Sequence, residues 1–167
     1  FTGSNLDNFI GNAKFLNANI NDSATKLNFD SLSLQSLQVG NEKRITLKSN
    51  DFNASITGQF NVADLPKSIQ SFLHHYYPNY IEAPGKLSAD QNFTIKANAN
   101  YIDPYISLYN KNWSGFNDFS FEGNINTKTY QLSAKANIPY GKIDDFAITG
   151  ASVEAKGDIN NLSLLTN

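Results

Sequence analysis

From Asp51 to Val62 the chain alternates strictly. Phe52, Ala54, Ile56, Gly58, Phe60 and Val62 fall on one parity, and Asn53, Ser55, Thr57, Gln59 and Asn61 fall on the other. Extended backbone turns successive side chains to opposite faces, so the segment has one apolar and one hydrogen-bonding face. It is predicted to be a half-buried strand, which needs partner strands beside it and cover over its apolar side. The pattern apolar, small, apolar, Asn recurs at alternate positions: Leu16, Ala18, Ile20, Asn21; Ile56, Gly58, Phe60, Asn61; Phe121, Gly123, Ile125, Asn126; Ala155, Gly157, Ile159, Asn160. Glycine inside a strand marks a bend or a close approach. Gly58, Gly123 and Gly157 are therefore expected to let the sheet curve. Ile56, Phe60, Phe121, Ile125 and Ile159 would then line its inner face, either as room for an apolar ligand or as plain core.

The rest of the chain supports a mainly β fold, a curved and largely antiparallel sheet with a U-shaped or taco-like groove. Strand patterns cover Lys14 to Asn21, Arg44 to Lys48, Phe93 to Tyr101, Tyr105 to Tyr109, Phe116 to Asn126, Tyr130 to Ile138, Phe146 to Gly150, Val153 to Ile159 and Leu162 to Leu165. Turns follow at Asn21-Asp22-Ser23 and Asn126-Thr127-Lys128. Between Lys26 and Gly40 the apolar pairs Leu27/Phe29, Leu32/Leu34 and Leu37/Val39 change parity each time. Bulges or bends at Asp30-Ser31 and Gln35-Ser36 would keep all three pairs on one side.

One segment breaks the alternation. Leu65, Ile69, Phe72, Leu73 and Tyr76 recur at helical spacing, with Asp64 and Pro66 at the start and Pro78 after the end. Burying five such side chains is worth on the order of 10 kcal/mol before ordering entropy, so this helix is predicted to dock on the sheet's apolar face. The chain divides into strands over 1–62, a helix over 63–78, a linker with Pro84-Gly85 over 79–86 and a strand meander over 87–167. It is expected to be a single segment of a longer, repeat-built protein, since it opens on Phe1 and has no Met.

Composition excludes several functions. A net charge of −2 with 17% charged residues argues against a nucleic-acid surface. The lack of Cys removes thiol catalysis and thiolate metal sites. His74-His75 lack further ligands nearby, Asp144-Asp145 lie in turn-like sequence, and there is no phosphate loop or nucleophile elbow. No enzyme, cofactor or metal is expected. Trp113 with Tyr105, Tyr109 and Phe116 is either a hydrophobic minicore or, as the alternative reading, an aromatic glycan-binding patch of a structural or surface domain.

The run from Leu27 through Gly40-Asn41, Ile45 and Asp51 to Gly58 and Phe60, followed by a helix ending His75-Tyr76-Tyr77-Pro78, resembles the TamB branch of the AsmA-like envelope proteins, Bacteroidetes members above all. The resemblance implies a periplasmic segment of a protein anchored in the inner membrane outside these residues. It implies a groove that moves phospholipid to the outer membrane, and a possible outer-membrane β-barrel partner in protein assembly. The helix face at Leu65, Ile69, Phe72, Leu73 and Tyr76 is the competing occupant of such a groove.

Overall fold

The computed structural model describes residues 2–3, 7–21 and 26–167, with side chains of 20–21, 26 and 107–109 left aside. Leu6, the turn expected over Asp22 and Ser23, and the side chains of Ile20 and Tyr109 lie outside what is described. The strands are β1 (Gly11–Asn21), β2 (Lys26–Val39), β3 (Glu42–Ser49), β4 (Phe52–Gln59), β5 (Asn92–Ala99), β6 (Trp113–Ser114), β7 (Phe119–Asn126), β8 (Gln131–Ile143), β9 (Phe146–Gly157) and β10 (Leu162–Thr166). They form one ten-stranded antiparallel sheet in the order β1-β2-β3-β4-β5-β7-β8-β9-β10, with β6 pairing β8 off the path. Nearly every strand thus lies beside its sequence neighbour, which is the expected meander. At the β7–β8 turn Asn126 Oδ1 accepts the amides of Lys128 and Thr129, closing the expected hairpin.

Register sorts the side chains into rows that cross the strands. On one face run Lys43, Gly58, Phe93, Ile125, Leu132, Gly157 and Leu162; then Ser36, Ile45, Ile56, Ile95, Gly123, Ala134, Ala155 and Leu164; then Leu34, Leu47, Ala54, Ala97, Phe121, Ala136 and Val153. A fourth row holds Phe52, Ala99 and Phe119. The opposite face carries rows such as Arg44, Thr57, Thr94, Asn124, Ser133, Lys156 and Ser163. The alternation read in one strand is therefore a property of the whole sheet.

The apolar face is covered at one end by helix α1 (Leu65–Tyr76), entered through a 3-10 turn at Val62–Asp64. Phe72 is 2% exposed and packs with Phe60, Phe93 and Ile125, with Leu65, Tyr76, Ile45, Ile56, Ile95, Tyr130 and Leu132 around them. The predicted helix face needs rotating. Ile69 and Leu73 are each 41% exposed, whereas Ser68 is fully buried, its hydroxyl donating to the Asp64 carbonyl at 2.9 Å. The inward side is Leu65, Ser68, Phe72 and Tyr76. A small residue facing the sheet lets the helix approach closely, and this displaces the two larger side chains toward solvent.

Four strand expectations are corrected. Tyr105 to Tyr109 is not a strand: helix α2 (Asp103–Tyr109) forms there, with Asp103 and Pro104 in its first turn, so the chain from 87 on is not a pure meander. Ile102, Tyr105 and Ile106 have i, i+3, i+4 spacing, and α2 covers the other end of the apolar face, where the Tyr105 ring lies 5.1 Å from Phe52 and 5.6 Å from Phe29. Residues 146 to 157 are one strand, whose turn-like Gly150 is absorbed at φ 63. Ile159 lies beyond the strand end and is 54% exposed. In β2 the buried side switches parity once, from Leu27 and Phe29 to Leu32, Leu34 and Ser36, opposite Asn17 with φ 50. No second switch follows, so Leu37 and Val39 are exposed.

The sheet is also not strongly curled, against the taco-like expectation. Helices cover both ends of its apolar face, so much of that face is shielded without the sheet folding over on itself. Phe72→Ala is expected to cost about 3–5 kcal/mol in urea unfolding, and Ile69→Ala about 0.5 kcal/mol or less. Equal losses would contradict the rotated helix face.

Candidate functional site

Between the two helices the third row remains as a band. Leu34, Leu47, Ala54, Ala97, Phe121, Ala136 and Val153 are half-buried and belong to neither the α1 core nor the α2 cluster. They come from seven neighbouring strands, so the band is roughly 29 Å long at about 4.8 Å per strand. Three of the seven are alanines, Ala54, Ala97 and Ala136, leaving a shallow apolar trough walled by α1 on one side and α2 on the other.

The residues singled out from sequence do not all reach this band. Phe60 and Ile125 are buried in the α1 core with Ile56 packed against them, so the helix occupies the face they were expected to line. Phe121 lies on the band, its ring stacked on Phe119 at 6.5 Å and 10°. The glycines receive neighbours. Gly58, at φ 138, lets the β5 backbone approach so closely that a Cβ there would collide with the Asn92 carbonyl oxygen. A Cβ on Gly123 would meet the Phe121 ring at 2.8 Å, and one on Gly157 the Tyr76 hydroxyl at 3.0 Å.

Helix α1 is pinned at both ends. The buried Asp64 carboxylate accepts the Ser88 amide at 2.8 Å, the Ser88 hydroxyl, and Lys67 Nζ at 2.9 Å. At the other end Tyr76 donates to the Asp158 carbonyl, while a ring nitrogen of His75 bonds the Ile159 carbonyl at 2.7 Å. His74 bonds the Ile81 carbonyl at 2.6 Å. Each histidine is thus held by main chain, and no group of side chains able to hold a metal occurs among the described residues.

Sequence reasoning missed a second feature. Ile102, Tyr105 and Ile106 from the α2 segment, Trp113 and Phe116 from the residues after it, and Phe119 and Ile143 from the sheet line an apolar cavity of about 450 Å³ that is open to solvent. Trp113, Tyr105 and Phe116 are brought together as expected, around a hollow. The signal was present in Asp103-Pro104, a helix start, and was masked by the β character of the neighbouring tyrosines. Tyr105 Oη donates to Asp51 Oδ2 at 2.6 Å; burial first, and that bond next, push its hydroxyl up to about 12.

No family model, curated protein or solved structure matches the chain. The reading of the site therefore rests on its own chemistry. Hydrogen bonds from the Ser88 hydroxyl and amide, then from Lys67, hold the Asp64 carboxyl well below the usual carboxylate range. A depressed carboxylate contributes its stability in full above its unfolded pKa, near 3.9, and loses it as pH falls toward the folded value. Urea midpoints measured downward from pH 5 are expected to fall less steeply in Asp64→Asn than in the parent. Parallel slopes would show that Asp64 does not act through its charge.

Proposed function

We propose that this chain is a non-enzymatic, lipid-contacting segment of a TamB/AsmA-like periplasmic protein, helping phospholipid cross to the outer membrane or supporting outer-membrane protein assembly. The observation that carries the reading is the band between α1 and α2, an apolar strip about 29 Å long that crosses seven strands and is left uncovered by either helix cluster. Its length exceeds that of one leaflet's acyl chains, about half of the roughly 30 Å bilayer core, so the tails of one lipid fit along it. A lipid with some 30 methylenes in water is unfavourable by on the order of 20 kcal/mol, at about 0.8 kcal/mol each. A trough that receives those methylenes removes most of that barrier without bond chemistry.

Within this reading the helices act as walls and the polar face stays wet. The lipid path is the row of Leu47, Ala54, Ala97, Phe121, Ala136 and Val153, and the α1 core around Phe60 and Ile125 serves as scaffold. The parent would be anchored in the inner membrane outside these residues, with an outer-membrane β-barrel as a partner.

The test is site-specific photocrosslinking in the full-length protein in its envelope. A photoreactive residue at Phe121 or Val153 is expected to capture phospholipid, and one at Phe60, beneath α1, to capture protein only. Phe121→Asp is expected to impair lipid movement while the chain stays folded. If Phe121 and Val153 capture no lipid, the trough is not a lipid path. Glycan binding lost in Trp113→Ala would favour the alternative of a glycan-binding envelope domain.

A further inference from the structure

We infer that the cavity beneath α2 is a binding site for the end of one unbranched hydrocarbon chain, entered tail first, with the polar end of the ligand left in water. This site adjoins the trough through the Phe119–Phe121 stack and does not depend on the transport reading. Three observations carry it. The walls are aliphatic and aromatic throughout, with Trp113, Phe116, Phe119 and Ile143 facing the helix residues Tyr105 and Ile106. The polar groups nearest in the chain are already engaged: the Tyr105 hydroxyl donates to Asp51, Asp103 Oδ1 accepts the Gly115 amide, and Asn117 Oδ1 accepts the Ile102 amide at 2.8 Å. A sugar, nucleotide or peptide backbone would therefore enter with its donors and acceptors unmatched, whereas an alkyl chain has none to satisfy. The third observation is size. The volume of about 450 Å³ is some three times that of a dry apolar cavity of about 150 Å³ that accepts benzene. By proportion to benzene's six carbons that is space for about eighteen, of which roughly a dozen are walled because the pocket is open to water on one side.

Aromatic walls suit such a guest because they have few torsions to freeze, so the hollow persists when empty. Trp113 is the only tryptophan in the chain and forms part of the wall, so its emission reports occupancy directly.

The experiment titrates the purified chain with saturated carboxylates from octanoate to hexadecanoate, below their micelle concentrations, following Trp113 fluorescence. Affinity is expected to rise roughly two- to fourfold per methylene and to level off near a dozen carbons, with terminally brominated dodecanoate quenching Trp113. Ile143→Phe narrows the cavity and is expected to move the plateau to shorter chains, a change that partial unfolding does not mimic. Ile69→Ala, on the exposed side of α1, is expected to leave the titration unchanged. Vesicles of phosphatidylcholine with brominated chains form the second arm: quenching there identifies membrane lipid as a source of the chain, and quenching by dodecanoate alone identifies a free fatty acid. Three results would each overturn the proposal. They are affinity that climbs with length without a plateau, absence of quenching by both probes, and a Trp113 signal that follows protein concentration, the mark of a second copy filling the hollow. Quenching that survives while crosslinking at Phe121 captures no lipid leaves this site standing and removes the trough.

Discussion

A sheet that is apolar on one side across ten strands is tolerable in water only if that side is covered, and the structure depends on the packing of Phe72 into Phe60, Phe93 and Ile125. The contact joins residues from α1, β5, β7 and the exit of β4, so it fixes the helix and the middle of the sheet together. The rings meet at tilted and edge-on angles, Phe60 with Phe93 at 6.1 Å and 66° and Phe72 with Tyr130 at 6.0 Å and 58°. These are the favoured geometries for aromatic pairs. Lys43 seals the end of the same row. It is buried, its Nζ donates to the Asp7 carbonyl at 2.6 Å and lies 5.9 Å from the centre of the Phe60 ring, and desolvation lowers its pKa.

What was legible in the sequence followed from short-range periodicity. The alternation of Asp51 to Val62 specified both the strand and its two faces, and the spacing of Leu65, Ile69, Phe72, Leu73 and Tyr76 specified a helix that docks, although Ile69 and Leu73 turn toward solvent. What escaped depended on contacts between distant segments. Ser68 carries no apolar signal, yet it faces the sheet because a small hydroxyl side chain allows close approach and satisfies itself on Asp64. Tyr105 is a strand-favouring residue, and its helical state is held by Asp51, 54 positions away, and by the rings of Phe29 and Phe52. The glycines of the repeated pattern were correctly read as special, but their role is to admit neighbours, and no sequence rule distinguishes a site of close approach from a bend. The copies also do not stack: Gly58 and Gly157 share one row while Gly123 sits in the next.

The polar face has its own organisation. Lys96, Glu122, Lys135 and Glu154 occupy one row on four adjacent strands with alternating sign, and Lys96 meets Glu122 at 2.9 Å. Exposed pairs of this kind contribute little each. Alternation of sign nevertheless disfavours a one-residue slip in pairing, since a slip would move every charge in the row onto the apolar side. Register and facial segregation thus reinforce each other.

Among the described residues the path of the sheet ends at β1 on one side and β10 on the other, and each pairs with one neighbouring strand. Phe15 and Leu16 on β1, and Leu164 and Leu165 on β10, are all more than half exposed. Free main-chain donors and acceptors flanked by such side chains form an adhesive margin, the kind that natural sheets blunt with lysine, proline or a covering loop. Such a margin is where a further strand, from a longer parent chain or from another copy, would continue the ladder.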